Sequence, residues 1–519
     1  LQACGVNILV DCGMEQGNDV YENQELPIPA SEVDYVLLTH AHIDHSGLIP
    51  LLYTNGFRGK VYTTRPTVDL CEIMLKDSAH IQEFEAEWRN RKAKRSNGTL
   101  KEFVPLYDMD AAVNVMKQFV GCPYSEKIDL CDGITIRFID AGHLLGSASI
   151  EVWATEKTEN GDVTEKIVFS GDIGNINKPI IKDPKHVRDA DYVVMESTYG
   201  NRSHGGTPNY VEDLTDIFKR TFERGGNVVI PSFAVGRTQE LLYIIRKIKE
   251  DNLVGRDFDV YMDSPLAIEA TNIFIKNVES CFDDDAVELV RKGINPLSFP
   301  GLKYATTGDE SKQINFDPNP KVIISSSGMC EAGRIRHHLK HNLWRPECTI
   351  VFVGYQAVGT TGRIIVDGAE EIKLFGEPIQ IKAEIVQLKG SSGHADKDGL
   401  LCWINAFDTK PKKVFVVHGE DSVCDEFTEC LKEEYGYDAM APYTGGSYDL
   451  IADRVISEGV KERKTRRTTS TQRGKTVFDR LVAAGKRLMT VITHNEGGTN
   501  KDLAKFTDQI NALCDKWDR

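Results

Sequence analysis

The segment LTHAHIDHSG places His40, His42, Asp44 and His45 within six residues. Imidazole and carboxylate are the donors that divalent cations, zinc above all, accept from proteins. His40 and His42 stand two apart at the end of an apolar run read as a strand, so they share one side of it. Asp44 and His45 open the turn into SGLIPLL, read as a helix. Four donors on such a corner can hold two adjacent cations. Three further donors come singly: His143 in IDAGHLLGSAS, Asp172 in VFSGDIG and His418 in VFVVHGE. Each follows an apolar run and sits beside Gly, where the backbone turns tightly. Asp172 can bridge two metals, because a carboxylate has two oxygens to share. Asp11, closing NILVDCG, is expected behind the ligands, orienting an imidazole or a water. Two cations about 3.5–4 Å apart can share a hydroxide and clamp a phosphoryl or acyl oxygen, so the chemistry expected is hydrolysis.

These residues need strand ends to carry them. VDYVLLTH, KIVFSGD, DYVVMEST, NVVIPSF, KVIISSSG, TIVFVGY and KVFVVHG each read as a buried strand. Most close on Gly, Ser, Thr, His, Asp or Glu, at the position where α/β sheets bind ligands. Amphipathic helices alternate with them, for example TQELLYIIRKIKE after PSFAVGR and CEAGRIRHHLKH after SSSGM. The pattern is α/β in several layers. No internal repeat or long low-complexity linker interrupts it. Residues 461–475 carry seven basic residues and one acid, and a helical tail from about Thr476 to Arg519 follows. That stretch reads as a solvated linker or as a basic arm toward a polyanion.

With 519 residues, the chain exceeds what one core holds, and two or more domains are expected. No apolar run reaches the roughly 18 residues of a membrane span, so no membrane partner is expected. No leader is visible; the chain does not begin with Met, which fits a missing N-terminal piece. The 12 Cys show no paired spacing, which points to free thiols in the cytoplasm and against a thiolate metal site. The net charge of −16 speaks against a general nucleic-acid binder, though not against an enzyme that holds phosphate with metal ions and a few local cations. The aromatic and Met residues read as ordinary core.

Together, HxHxDH followed by His143, Asp172 and His418 resembles the ordered motifs of the metallo-β-lactamase superfamily. Glu196 in MESTYG, His394 in SSGHAD and His418 in VVHGE resemble the three additional motifs of its β-CASP family. PSFAVGRTQELL, MDSPLA, SSSGMCEAGR and VGYQAVGTTGR resemble blocks of that family's bacterial ribonucleases. The resemblance runs from about Asn7 to Tyr448. It implies an αββα sandwich, split in sequence, with an inserted α/β β-CASP domain. The boundaries it suggests are 1–205 and 386–455 for the sandwich, 206–385 for the insert, and 456–519 for a basic linker and helical extension. It implies two zinc ions, with manganese allowed. His40, His42, His143 and Asp172 resemble the ligands of one; Asp44, His45, Asp172 and His418 those of the other. It implies that His394 protonates the leaving oxygen and that Glu196 holds His394. Asp44 is counted with these two among the catalytic groups. The strands that usually precede ILVDCG are absent or cut short, and the tail matches no accessory domain of the family.

The expected reaction is hydrolysis of RNA phosphodiesters by a two-zinc-activated hydroxide, leaving a 5′-phosphate and a 3′-hydroxyl. Single-stranded RNA is the expected partner, with DNA and a homodimer also open. The competing readings are a DNA-directed member of the same family, a thioesterase or lactonase on the same metal core, and a non-catalytic scaffold. The sequence leaves endo- or exonucleolytic action undecided. For the substrate grip, Ser325, Ser326, Ser327 and Gly328 stand at a strand end before a predicted helix N-terminus, where backbone N–H groups favour an anion. Arg237 and Arg334 could pair with phosphate in bidentate fashion. His204 and His80 are lone candidates for the cleft.

Overall fold

The computed structural model describes residues 1–15, 26, 28–95, 103–159, 161–203, 205, 209–388, 392–461, 477–495 and 499–517. All seven apolar runs contain strands, and they divide among three sheets.

The first sheet has five strands, in the order Gln2–Ala3, Val6–Val10, Tyr35–Leu37, Lys60–Thr64 and Phe119–Cys122. The second has seven, beginning at one edge with Ala439–Met440 and Lys413–Val417. Tyr192–Glu196, Gly161–Phe169, Ala148–Thr158, Ile134–Asp140 and Ile128–Cys131 complete it. Their inner faces meet through Ile8, Leu37 and Cys122 from the first and Ile134, Ile136, Phe138, Ile150 and Val152 from the second. The alternation Ile134, Ile136, Phe138 shows why: period-two side chains on one strand share a face. The long helix Arg65–Arg95 covers the outside of the first sheet, with Leu70, Cys71 and Leu75 against Val36, Leu38 and Val61. Helices Lys397–Ile404 and Asp421–Glu433 cover the second, with Leu400, Ile404, Phe427 and Leu431 against Val193, Met195, Val414 and Val416. This is the αββα sandwich that the resemblance implies.

The third sheet is wholly parallel, in the order Leu302–Tyr304, Asp259–Asp263, Lys321–Ser325, Val228–Pro231, Thr349–Phe352 and Glu384–Gln387. Helices cover both of its faces, which explains why its strands read as continuous apolar runs. Val228 and Ile230 face one cluster with Ile245 and Phe218; Val229 faces another with Ile335 and Leu339. This is the inserted α/β domain. The strand Glu384–Gln387 straddles the expected boundary after residue 385 and pairs within this sheet. The first apolar cluster also runs through the helix Pro265–Lys276 onto Arg65–Arg95, so the insert and sandwich share a core. Lys276 Nζ pairs with Asp69 across the same contact at 2.9 Å.

The tail contains two helices, Val477–His494 and Asn500–Trp517. The basic stretch falls almost entirely outside the described residues. Among the described residues, no helix is long and apolar enough to cross a membrane, and every described cysteine is free.

Candidate metal centre

Strands Gly161–Phe169, Tyr192–Glu196 and Lys413–Val417 run parallel, so their C-terminal ends lie on one rim. Those ends carry Asp172, Glu196 and His418. Val6–Val10 and Tyr35–Leu37 are likewise parallel and deliver Asp11 and His40. The strand before His40 stops at Leu37, shorter than the sequence suggests; His42 caps the one-turn helix Ile43–Ser46, which holds Asp44 and His45. Gly13 permits this corner, because a Cβ there would lie 1.5 Å from the Asp44 carbonyl oxygen.

Two groups of donors converge on Asp172. His40 Nε2 and His143 Nε2 each lie 3.4 Å from its Oδ2. His42 Nδ1 lies 3.0 Å from His40 Nε2 and 3.3 Å from His143 Nε2. Donors on a tetrahedron of about 2.0–2.1 Å bonds stand about 3.3–3.4 Å apart, so these four fit the shell of one zinc-sized cation. On the other side, His45 Nε2 lies 3.2 Å and His418 Nε2 3.4 Å from Asp172 Oδ1. Asp44 completes that group, all three donors lying within 4.8 Å of one another. Each Asp172 oxygen thus serves a different group.

The protons call for a cation. The Gly393 carbonyl, 3.1 Å from His143 Nδ1, can only accept, so that nitrogen donates and Nε2 carries a lone pair. His40 Nδ1 similarly donates to Thr39 Oγ1 at 3.1 Å, since the Thr39 hydroxyl proton goes to Asp11 Oδ2. Lone pairs therefore face one another. His45 Nε2 and Asp172 Oδ1 are buried without a hydrogen-bond partner, and such groups are costly unless something binds them. Burial and the neighbouring His45 lower His40; burial and His40 pull His42 down to about 3; burial and His394 hold His143 well below its ordinary value. Three imidazoles are thus neutral and ready to ligate at pH 7. Burial works against charge on His45, but Asp172 and Asp11 outweigh it and hold its pKa well above normal without an ion.

Asp11 stands behind the corner. Its Oδ1 accepts from Thr39 N at 2.8 Å, and its Oδ2 from Thr39 Oγ1 at 2.8 Å and His45 Nδ1 at 2.7 Å. His394 Nδ1 lies 3.1 Å from Glu196 Oε2 and 3.8 Å from Asp172 Oδ2. Glu196 is buried, and its Oε1 accepts from Ile173 N at 2.6 Å. Burial opposes charge on His394, yet Glu196 and then Asp172 outweigh it and push its pKa up to about 9.

The proposed phosphate grip fares differently. The helix after SSSGM begins only at Ile335, because Cys330 and Gly333 turn the chain through positive φ first. Ser325 is buried and Ser326 bonds Ser264 at 2.6 Å, while Ser327 and Gly328 lie in the intervening loop. Arg334 is held internally: it donates to Asp263 Oδ1 at 2.7 Å and to the carbonyls of Ala305 at 3.0 Å and Thr306 at 2.7 Å. Arg237 pairs with Glu240. His80 is exposed on the long helix, and His204 lies outside the described residues.

Sequence reasoning missed Thr39, the Gly393 carbonyl and Lys178. Half-buried Lys178 donates to the His143 carbonyl at 2.9 Å and faces Glu240 of the insert at 3.5 Å. Such partners are single residues far apart in the chain; Thr39, beside His40, and Gly393, beside His394, offered a positional hint, and Lys178 none.

Residues 1–176 match the metallo-beta-lactamase superfamily domain, 238–365 the Beta-Casp domain, and 378–442 the Zn-dependent metallo-hydrolase RNA specificity domain. The chain is 35% identical to ribonuclease TTHA0252 of Thermus thermophilus over 422 residues, covering 81% of this chain and 89% of that protein. It is 32% identical to an RNase J-like protein of Methanocaldococcus jannaschii, covering 80% and 87%. It is 33% identical to transcription termination factor FttA of Methanosarcina mazei, covering 84% of this chain but 66% of FttA. Sandwich, inserted domain, ordered donors and these relatives agree: the chain belongs to the β-CASP family of the metallo-β-lactamase superfamily.

Proposed function

We propose that the protein is a metal-dependent ribonuclease that hydrolyses phosphodiester bonds of single-stranded RNA. The observation that carries the reading is Asp172 between two groups of convergent donors, with His394 backed by Glu196 on the same rim. Relatives named as ribonucleases and the RNA-specificity match favour RNA. His40, His42, His143 and Asp172 would hold one divalent cation, and Asp44, His45, Asp172 and His418 the other; zinc suits the donors and manganese is tolerated. When bound, such a pair supplies Lewis acidity toward the phosphoryl oxygens and a water of lowered pKa.

The side chains supply the rest. Asp11 fixes the His45 ring so that Nε2 faces inward. Glu196 accepts from His394 Nδ1, which leaves His394 Nε2 with the proton to give. That proton passes to the departing 3′ oxygen, giving a 3′-hydroxyl opposite a 5′-phosphate. The test is cleavage of a 5′-labelled single-stranded RNA beside DNA of the same sequence, with zinc or manganese and a His394→Ala control. RNA products lost in the control support the reading. A metal-loaded protein that cuts neither strand, but opens thioesters or lactones, would overturn it.

A further inference from the structure

The central strands of the inserted sheet run parallel and end on one edge. That edge meets the metal centre: a Cβ on Gly236, in the turn after Val228–Pro231, would lie 3.2 Å from Leu144 Cδ1, next to His143. His143, Leu144, Lys178 and Gly236 line one small cavity at this junction. Carboxyl ends of parallel strands are where such sheets take ligands.

Three aromatic side chains at the ends of this sheet's strands are exposed: Tyr304 on the edge strand, and two following inner strands. Phe233, just past Pro231, is 45% exposed, and Tyr355, just past Phe352, is 46% exposed. Their strands are neighbours. A Cβ at Gly328 would come within 3.0–3.1 Å of the Phe233 ring, so the ring lies on bare backbone and keeps a side open to solvent. Gln356, buried next to Tyr355, donates to the Gly328 carbonyl at 3.1 Å and anchors that loop to the same backbone. Phe233 thus lies against Gly328, and the residue following Tyr355 is bonded to the same glycine.

Charge is a poor candidate for the grip here. Arg334, Arg237 and Lys178 are engaged within the protein, and the chain carries a net charge of −16. Electrostatic attraction normally dominates affinity for a polyanion. Base stacking on aromatic rings contributes independently of charge, about 5- to 150-fold in affinity per base, and tolerates any sequence.

The geometry points to a nucleobase platform: Phe233 and Tyr355 stack bases of single-stranded nucleic acid on the inserted-domain wall beside the metal centre. This rests on the nuclease reading above. Because paired bases are already stacked on each other, the platform selects single strands.

The experiment uses the metal-loaded full chain and a short single-stranded RNA, intact or with one abasic site moved along it. Phe233→Leu and Tyr355→Leu are each expected to raise KM about 5- to 150-fold, with kcat falling less, and Phe233→Tyr to restore KM. Base removal at the platform positions costs the wild type as much as leucine does, and adds little to the leucine variant. In metal-free binding, 2-aminopurine at those positions is quenched by wild type and not by the variant. Wild-type KM in both leucine variants, or equal abasic losses in wild type and variants, would sink the platform alone, provided the wild type cleaves RNA. A wild type that neither binds nor cleaves RNA would remove the nuclease reading and the platform with it.

Discussion

Replacing Asp11 with asparagine tests the metal-centre geometry without touching a ligand. Three donors converge on this carboxylate: Thr39 N, Thr39 Oγ1 and His45 Nδ1, at 2.8, 2.8 and 2.7 Å. Asn keeps one acceptor oxygen and turns the other into an NH2 donor. If that NH2 faces His45, Nδ1 must accept, and the ring proton moves to Nε2. Nε2 then points an N–H at Asp172 Oδ1, 3.2 Å away, and offers no lone pair. If the amide flips, the buried Thr39 N–H loses its acceptor, at a cost of about 1–3 kcal/mol. Both outcomes weaken the group Asp44, His45 and His418 more than the group built on His40, His42 and His143. The loss expected is about 10- to 100-fold in affinity for one of two ions, or about 1.4–2.7 kcal/mol. Titration of metal-free protein with zinc against a chromophoric chelator reads both affinities, and a melt of the ion-free protein reports folding. Two ions per chain at wild-type affinities, with an unchanged ion-free Tm, would refute the orienting role of Asp11.

His394→Ala should lower kcat on RNA about 10²- to 10⁴-fold, but far less on a diester whose p-nitrophenolate leaving group needs no proton; equal losses on both would remove the acid role. Lys178→Met cuts the link from the His143 carbonyl to Glu240. Since Glu240 keeps Arg237, a destabilisation of about 1–3 kcal/mol is expected in urea unfolding, and no change would mean that the link is slack. Burial pushes the Asp140 carboxyl up to about 6, against the Gly142 N–H bond that favours its charge. The folded state therefore holds this proton more tightly, so its contribution is intact below about pH 4 and lost as pH rises through 6. Asp140→Asn should leave stability unchanged at low pH and raise it by up to about 3 kcal/mol above pH 6; parallel pH–stability curves for the two proteins would contradict this.

The strand content was readable because strands covered on both faces carry uninterrupted apolar runs, as in KVIISSS, where Val322, Ile323 and Ile324 are all buried. The split of the sandwich around the insert was not readable from those runs. VVMES and VFVVHG are neighbours in one sheet at a separation of some 220 residues, and nothing in local periodicity encodes that pairing; only the family motifs did. The seven donors were legible because ligation restricts residue types and places them beside strand ends and glycines. The partners of Arg334 were not legible, for the opposite reason. Guanidinium near a Gly–Ser loop suits phosphate or an internal carboxylate equally, and its partner Asp263 stands 71 residues away. Phe233 and Tyr355 read as core because composition does not reveal exposure.

The division of labour between the domains follows from where the donors sit. All seven lie between strands of the sandwich, Asp44 and His45 on the one-turn helix and the other five on loops, on the rim where its two sheets end. Among the described residues, the insert adds a wall: the Gly236 turn, the Gly328 loop, and the exposed rings of Phe233 and Tyr355. A substitution on that wall can change which strand reaches the centre while leaving the donors in place. Lys178 is one point where this independence ends, since one ammonium touches both the His143 backbone and Glu240 of the insert. A shift of the insert would be transmitted there as a shift of a ligand loop. The same centre can therefore be kept across proteins with different walls, provided that this joint is retained or rebuilt.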